Sequence, residues 1–381
     1  MDGPLKNLLV VDLTRVLVGP YCTMMLSDMG ARVIKVEAPG IGDDSRKFGP
    51  FVKDNSAYFM SLNRGKESIA LNLKDEDDKK IFLNILSKAD ILVENFKPGT
   101  LDKWGFGWQD ICKKFPKLIY ASASGFGQTG PLKELPAYDM VVQGMGGLMS
   151  VTGQPNSEPT RVGTSIGDIT AALFTTIGIN AALYDREKTG KGMFIDVSML
   201  DCQIAILENA IARYLSKNEI PKPMGSRHPS IAPFEAFKTK DSYIIIAAGN
   251  DKLFEKLCIV LELNDLPKNE KFKSNSSRCE NMNDLKLIME EKLKSLNTKD
   301  WIKKMENEKI PCGPIFNIKD AVENPQIKSR NMIVNTFHKV VGDFKTAGNP
   351  IKMSSYKDET KRGDIPDLDE HRKKIIEEFC N

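Results

Sequence analysis

Histidine is scarce in this sequence, and that scarcity narrows the chemistry to be expected of it. The 381 residues contain three histidines, and none of them precedes His228. A site in the first half of the chain therefore has no histidine to act as a general base. Carboxylate chemistry remains open, because Asp and Glu side chains act as covalent nucleophiles when suitably positioned.

Cysteines are present but form no functional pattern. There is no CxxC pair and no other metal-ligand spacing, so we expect no metal site. An odd number of scattered cysteines is typical of reduced thiols, which predicts a cytoplasmic protein. The seven residues are Cys22, Cys112, Cys202, Cys258, Cys279, Cys312 and Cys380.

Three further absences exclude whole classes of protein. Lys and Arg number 54 against 51 Asp and Glu, without a basic block, so nucleic-acid binding is not indicated. Residues 1–7 lead directly into a predicted strand, without a signal peptide. The longest apolar run, Ile169–Leu183, contains Thr and Asn and is short for a membrane span. We therefore expect a soluble protein without a membrane or nucleic-acid partner.

The order of apolar runs and loops predicts an α/β protein with more than one domain. A strand at Leu8–Leu13, a helix at Tyr21–Met29 and a strand at Arg32–Glu37 form a βαβ unit. We predict a doubly wound, Rossmann-like large domain over residues 1–217 and a smaller α/β domain over 234–320. Residues 218–233 contain four prolines and read as a linker. Residues 321–381 are expected to be a linker and a C-terminal return to the large domain.

A nicotinamide dinucleotide site is not expected in the βαβ unit. Glu37 ends the second strand, where a ribose-binding acid would lie. The loop offers only Gly19 before Pro20, so the GxGxxG phosphate cradle is missing. The charged segment Gly40–Pro50 is predicted to be a surface loop.

Two later strands, at 90–94 and 117–121, end in polar loops that contain glycine. Ligands in open α/β sheets bind at the carboxyl ends of strands, so these loops are candidate site segments. Ordinary turns between elements are an equally good interpretation.

One carboxylate, Asp168, follows a glycine and begins a predicted buried helix. An acid in the first helical turn lies near unpaired backbone N–H groups and the positive end of the helix dipole, so we expect it to be ionised and held in place. Asp is also a favoured cap residue, and a cap alone would explain it.

Other candidates lie around Asp168. Residues 163–167 read GTSIG, a formal GxSxG motif centred on Ser165, but the preceding PTRV is a poor strand for a nucleophile elbow. Gly144, Gly146 and Gly147 would let backbone N–H groups approach a developing oxyanion, or would simply form a tight turn. The residues alone thus indicate a cytoplasmic α/β enzyme with one candidate catalytic aspartate.

Nearly the whole chain resembles the class III CoA-transferases, a family that includes formyl-CoA transferase and carnitine CoA-transferase. The alpha-methylacyl-CoA racemases form a sister branch that also resembles the chain. The matching segments are GPYCTMMLSDMGARVIKVE (19–37), GDDSRKFGP (42–50), NRGKESIALNLK (63–74), ADILVENFKPGTLDKWGF (89–106), LIYASASGFGQTGP (118–131), PAYD (136–139), GD (167–168), KTGKGMFIDVSMLD (188–201) and GSRHPSIAPFEAF (225–237).

The resemblance implies a role for several residues. Asp168 matches the nucleophile that forms an aspartyl mixed anhydride with the donor acyl group, and Tyr138 and Asp139 stand beside it with Gly144, Gly146 and Gly147 as supporting residues. Lys103 and Ala38 stand where formyl-CoA transferase has arginines, and Arg46 also matches the family. The implied CoA contacts are Leu17, Val18, Leu71, Asn72, Leu73, Lys74, Asn95, Phe96, Lys97 and Lys103.

The resemblance also implies the partners. The substrates would be CoA thioesters and a carboxylic acid, with no permanently bound cofactor, and the protein would be an interlocked homodimer. Residues 247–250 are the nearest match to a glycine-run loop of formyl-CoA transferase, and this departure favours a substrate pair other than formyl and oxalyl.

Two alternatives remain. A racemase needs a histidine and an aspartate as opposed acid/base groups, and Tyr138 occupies the histidine position. A tyrosine of ordinary pKa is a poor α-proton base near neutral pH, which favours transfer. A catalytically silent CoA-binding homologue is the other alternative, and the presence of Asp168 speaks against it.

Overall fold

The computed structural model describes residues 2–380. Backbone contacts divide the chain into two compact units. The first unit consists of the chain up to Met149, Arg161–Glu219, and the chain from Pro325 onward. The second unit consists of Ser150–Thr160 and Ile220–Asn324. The segment Ser150–Thr160, which the sequence pattern placed in the large domain, thus packs with the second unit.

The described residues form both parallel and antiparallel strands. Their bounds are β1 Leu9–Asp12, β2 Arg32–Glu37, β3 Phe51–Val52, β4 Asn55–Ser56, β5 Lys66–Ala70, β6 Ile91–Glu94, β7 Ile119–Ser124, β8 Phe194–Ser198, β9 Phe234–Lys238, β10 Tyr243–Ala247, β11 Cys312–Pro314, β12 Ile333–His338 and β13 Gly342–Ala347.

The helices are mostly short, with one exception of 24 residues. Their bounds are α1 Val18–Asp28, α2 Ala57–Leu62, α3 Glu76–Leu86, α4 Thr100–Trp104, α5 Trp108–Lys114, α6 Asp139–Met145, α7 Leu148–Val151, α8 Ile166–Thr189, α9 Met199–Ile206, α10 Glu208–Lys217, α11 Asp251–Val260, α12 Asn275–Glu280, α13 Met282–Leu293, α14 Thr298–Asn307, α15 Ile318–Glu323, α16 Pro325–Ser329 and α17 Arg372–Phe379. Short 3-10 helices lie at Asp44–Lys47 and Leu266–Lys268.

The first unit contains a six-stranded sheet in the order β5-β2-β1-β6-β7-β8. All its neighbouring strands pair in parallel. From β1 the chain adds β2 and β5 on one side of the sheet, and it then adds β6, β7 and β8 on the other side. The strand order therefore reverses between β1 and β6. In such a sheet the crevice at the reversal point is where ligands bind. The predicted α/β fold with a parallel sheet is confirmed.

Both faces of this sheet are covered, which explains why its strands are apolar runs. Side chains alternate between two clusters, because successive strand residues point to opposite faces. One cluster contains Val10, Ile91 and Ile179 of α8. The other contains Val11, Leu92 and Ile375 of α17. The C-terminal helix therefore packs on the first unit, and the His371 N–H donates to the Ser68 carbonyl at 2.9 Å.

The second unit has its own core. Its antiparallel sheet has the order β11-β10-β9, with β10 paired to both of its neighbours. Phe237, Ile244, Phe254 and Trp301 are buried together between this sheet and its helices.

Helix α8 is longer than its apolar run indicated. At 24 residues it is long enough and apolar enough to cross a bilayer, judged by length and composition alone. However, Ala171, Ala172 and Ile179 are buried against the parallel sheet, as expected of the core helix of a folded unit. Its outer side is exposed at Leu173, Phe174 and Ile177.

Candidate active site

A cleft opens at the point where the strand order of the parallel sheet reverses. Its volume is about 250 Å³, and its walls include the segments that follow β1, β6 and β7. The candidate residues that it brings together are Leu17, Val18, Asn95, Phe96, Lys97, Tyr138 and Asp168. Residues of both polar loops singled out in the sequence line this cleft, which favours the site interpretation over ordinary turns.

Buried charges lie beneath the first loop of the cleft. Asp12 accepts hydrogen bonds from Thr23 Oγ1 at 2.6 Å and from Lys66 Nζ at 3.0 Å, and the Asp12 and Lys66 side chains are fully buried. Burial alone would raise the pKa of Asp12, but the charges of Lys35 and Lys66 outweigh it and hold the pKa below its usual range. Burial lowers the pKa of Lys66 to about 8, against the opposing charge of Asp12.

Asp168 lies in the first turn of α8 and lines the cleft. Ser165 is the N-cap residue of this helix, and its side chain makes no capping hydrogen bond. The Asp168 carboxylate makes no hydrogen bond or ion pair with any of residues 2–380. The prediction that Asp168 serves as the cap is therefore wrong, and its oxygens are available to a ligand.

Asp139 caps the helix in place of a local residue. Its Oδ1 accepts a hydrogen bond from the Gly167 N–H at 2.8 Å, and its Oδ2 accepts one from Gln143 Nε2 at 2.8 Å. Gln143 Oε1 in turn accepts from the Val162 N–H at 2.9 Å. A Cβ at Gly167 would lie 2.8 Å from Val142 Cγ2. Glycine before the aspartate is thus needed for the close approach of α6 to α8.

The environment of Asp168 favours its protonated form. Burial, and secondarily the negative charge of Asp139, raise the pKa of Asp168 to about 7. We expected from the sequence that the helix dipole would keep it ionised. The carboxylate is instead the major form only above about pH 7, because the loss of hydration and a like charge outweigh a partial charge at the helix terminus.

This pKa makes a testable prediction for any reaction in which Asp168 is the nucleophile. The attacking form is the carboxylate, so the rate of CoA release from a donor thioester should rise with pH, with its midpoint at about 7, before it levels off. Asp139→Asn removes the like charge and should shift the midpoint to lower pH. A pH–rate profile of the first half-reaction measures both. A profile that is flat, or that falls as pH rises through this range, contradicts the assignment.

Two tyrosines lie near Asp168, and only one was found from the sequence. Tyr138 lines the cleft and is 77% exposed. Tyr58, on α2, is half-buried, and burial together with the charges of Asp168, Asp43 and Asp139 raises its pKa to about 12. Its hydroxyl has no hydrogen-bond partner among residues 2–380. No local pattern marks Tyr58, because only the tertiary fold brings α2 near α8.

Two of the three candidate glycines before α8 have packing or turn roles in this structure. A Cβ at Gly146 would lie 2.5 Å from Gln203 Cβ, and Gly147 has a φ of +85°. Their N–H groups donate to the carbonyls of Val142 and Gly144. Gly144 lies inside α6. The tight-turn interpretation is the one that this geometry supports, and the oxyanion contact stays a prediction.

The remaining predicted CoA residues lie outside the lining of the cleft. Leu71 and Leu73 are buried in the core, so they can offer a ligand only their backbone. Lys74 Nζ lies 5.9 Å from the centre of the Trp104 ring, and Trp104 packs edge-on against Phe96 at 5.4 Å. Asn72 and Lys103 are exposed. Trp104 thus connects Lys74 to Phe96 of the cleft, and sequence reasoning missed it.

Segment 40–50 is largely exposed, as the surface-loop prediction requires, but two of its side chains are buried. Asp43 and Ser45 are buried. Arg46 donates to both Glu37 carboxylate oxygens at 2.8 and 2.7 Å and lies 3.7 Å from the centre of the Phe59 ring. The side chains of Glu37 and Arg46 therefore bind each other within the protein.

Neither a serine nucleophile nor a metal centre is supported. No strand leads directly into Ser165 over residues 152–164, as a nucleophile elbow requires. Among residues 2–380 no group of three or more His, Cys, Asp or Glu side chains is arranged to hold a metal ion.

Comparison with known proteins identifies the family. The family model described as CoA-transferase family III matches residues 5–372. The chain is 46% identical over 379 residues to the acetyl-CoA:oxalate CoA-transferase of Acetobacter aceti, covering 99% of this chain and 96% of that protein. It is 40% identical over 376 residues to the human succinyl-CoA:glutarate CoA-transferase, covering 98% of this chain and 86% of that protein.

A solved structure agrees with these matches. The crystal structure of a CAIB/BAIF family protein from Brucella suis superposes with a TM-score of 0.87 at 38% identity, covering 100% of both chains. The resemblance inferred from the sequence motifs is confirmed. The chain belongs to CoA-transferase family III and is a transferase enzyme.

Proposed function

We propose that this enzyme moves CoA from an acyl-CoA donor to a carboxylic acid through an acyl anhydride on Asp168. The observation that carries the proposal is the Asp168 carboxylate, which lies in the cleft without a partner among residues 2–380. Leu17, Val18, Asn95, Phe96 and Lys97, for which the family resemblance implies CoA contacts, line the same cleft.

The first step follows from the position of Asp168. A carboxylate oxygen attacks the thioester carbonyl carbon, a C–O bond forms, the C–S bond breaks, and CoA leaves as the thiolate. No proton has to be removed from an ionised carboxylate. In the net reaction the acceptor acid gains the thioester and the donor acyl group leaves as a carboxylate. One thioester replaces another, so no ATP is required.

The arrangement of Asp139 and Gln143 supports this role. Their hydrogen bonds fix the turn 162–167, which holds the backbone of Asp168 in place before a substrate binds. Preorganised geometry of this kind contributes to the rate because little motion is needed at the moment of attack. Asp139 is therefore assigned as a positioning residue.

The relatives suggest where to look for the acceptor. Those described above are named for oxalate and glutarate, and another relative, from Haloarcula marismortui, is named for mesaconate. We propose a small dicarboxylic acid as the acceptor class. Acetyl-CoA and succinyl-CoA are the donors to test first.

The decisive experiment supplies each donor with a panel of mono- and dicarboxylic acids and follows new acyl-CoA by mass spectrometry. The expected result is exchange with at least one acid, together with hydroxylamine modification of Asp168 that requires the donor thioester. No exchange with any acid, combined with deuterium entering the α-carbon from solvent, would indicate a racemase. Absence of both activities with CoA still bound would indicate a silent homologue.

We also propose a homodimer, interlocked as in the family. The support is the apolar surface of the first unit, where α8 exposes Phe174 and Ile177 and α6 exposes Met140 and Met145. Large apolar side chains exposed on two helices that pack together favour an interaction surface. Light scattering in solution should give twice the mass of the chain, and a monomer at micromolar concentration contradicts the proposal. A cytoplasmic location stays a prediction.

A further inference from the structure

One loop of the cleft has a conformation that its own residues disfavour. Val16 has a φ of +68°, in the left-handed region that a β-branched side chain rarely adopts. The turn leads directly into Leu17 and Val18, which line the cleft. Contacts from outside the loop must therefore stabilise this turn.

Asp43 holds the loop at Val16. Its Oδ1 accepts a hydrogen bond from the Val16 N–H at 3.0 Å, and its Oδ2 lies 2.9 Å from Lys35 Nζ. Both side chains of this ion pair are fully buried. Lys35 Nζ also donates to the Thr14 carbonyl at 2.7 Å. The Lys35–Asp43 pair therefore binds the loop at two positions, the Thr14 carbonyl and the Val16 N–H.

Asn95 holds the loop from the other side. The Arg15 N–H donates to Asn95 Oδ1 at 2.9 Å, and Asn95 Nδ2 donates to the Arg15 carbonyl at 2.8 Å. This reciprocal pair directs the side-chain amide at the protein backbone. Since Asn95 directly follows β6, the pair joins the two loops that meet where the strand order reverses.

We propose that Asn95 and Asp43 are positioning residues for acyl-CoA binding, which hold Arg15 and Val16 in the left-handed turn that presents Leu17 and Val18 to the ligand. The proposal rests on the proposed function of this cleft. It gives Asn95 a role different from the direct CoA contact that the family resemblance implied.

A double-variant cycle with coenzyme A as the ligand tests the proposal. Asn95→Ala removes both hydrogen bonds to Arg15, so the turn relaxes and only a fraction of molecules stays competent to bind. A competent fraction of about one tenth raises the dissociation constant for CoA about tenfold. Glycine adopts positive φ about as readily as negative φ. Adding Val16→Gly to Asn95→Ala should therefore return the dissociation constant to within about threefold of wild type.

Kinetics and a second variant complete the test. The KM for acyl-CoA should follow the dissociation constant while kcat stays nearly constant, because Asp168 is untouched. Asn95→Asp keeps an acceptor for the Arg15 N–H but cannot donate to the Arg15 carbonyl. Asn95→Asp should show an intermediate loss of affinity for CoA. It replaces Asn95→Ala in the test if that variant does not fold.

The outcomes separate the two proposals. Weakened binding that Val16→Gly does not restore would mean a direct ligand contact, and unchanged binding in Asn95→Ala would mean no role; either result overturns the positioning proposal alone. A wild-type enzyme that neither binds CoA nor transfers it overturns the proposed function, and the positioning proposal with it.

Discussion

Asp168→Asn is expected to lower the rate of CoA transfer by on the order of 10⁴-fold or more, the scale of loss when a covalent nucleophile is removed. The asparagine side chain has nearly the same shape, so α6 and α8 should remain packed through the Asp139 hydrogen bond to Gly167. The measurement is steady-state acyl-CoA exchange with hydroxylamine trapping. Asp185→Asn, on the same helix but outside the lining of the cleft, is the matched control and should retain full activity.

Two results would contradict this role of Asp168. Full turnover in Asp168→Asn would exclude the anhydride. Loss of turnover in Ser165→Ala, with Asp168→Asn still active, would move the covalent step to the serine.

The same substitution should stabilise the fold above neutral pH. The pKa of Asp168 is about 7 in the folded protein, against 3.8 for an unperturbed aspartate. The folded state therefore holds this proton more tightly than the unfolded state, and the favourable contribution is complete below about pH 4 and is lost as pH rises through 7. Asp168→Asn removes the cost of burying the charge, so the free energy of unfolding at pH 8 should rise by about 2–4 kcal/mol.

Urea denaturation at two pH values measures this effect. The gain from Asp168→Asn should be large at pH 8 and should shrink towards pH 4, because the wild-type carboxyl is then protonated in the folded state. An equal gain at both pH values would mean that the substitution acts by something other than removal of the buried charge.

Asp12→Ala is the substitution expected to destabilise the protein most. It leaves Lys66 and Lys35 buried with one fewer counter-charge, and breaking a buried pair in this way costs about 3–5 kcal/mol. The urea midpoint should fall sharply, or the protein should fail to accumulate in folded form. Asp77→Ala, which removes an exposed pair with Lys80, is the control and should leave the midpoint unchanged.

A second substitution distinguishes loss of a counter-charge from loss of packing. Lys66→Met added to Asp12→Ala removes the cation left unpaired and should recover part of the lost stability. No recovery would mean that Asp12 stabilises the fold mainly through its hydrogen bonds with Thr14 and Thr23.

Much of the fold was predictable because its elements follow local patterns. The strand Arg32–Glu37 was predicted with its observed bounds, since buried parallel strands are short apolar runs. The helical segment after β8 is less regular, because it divides into α9 and α10 near Leu207. Segment 40–50 is the predicted surface loop, but the burial of Asp43 was not predicted, because it depends on pairing with Lys35 of β2.

The sequence by itself determined the alternation of strands and helices, the Gly167-Asp168 pair at the start of α8 and, through many ordered motifs, the family. The tertiary structure alone decided the state of that aspartate and the residues around it. The pKa of Asp168 depends on burial and on Asp139 from another helix; Tyr58 and Trp104 approach the site from segments far apart in the chain. Desolvation and charge pairing depend on distances across the fold, and local sequence patterns do not encode those distances.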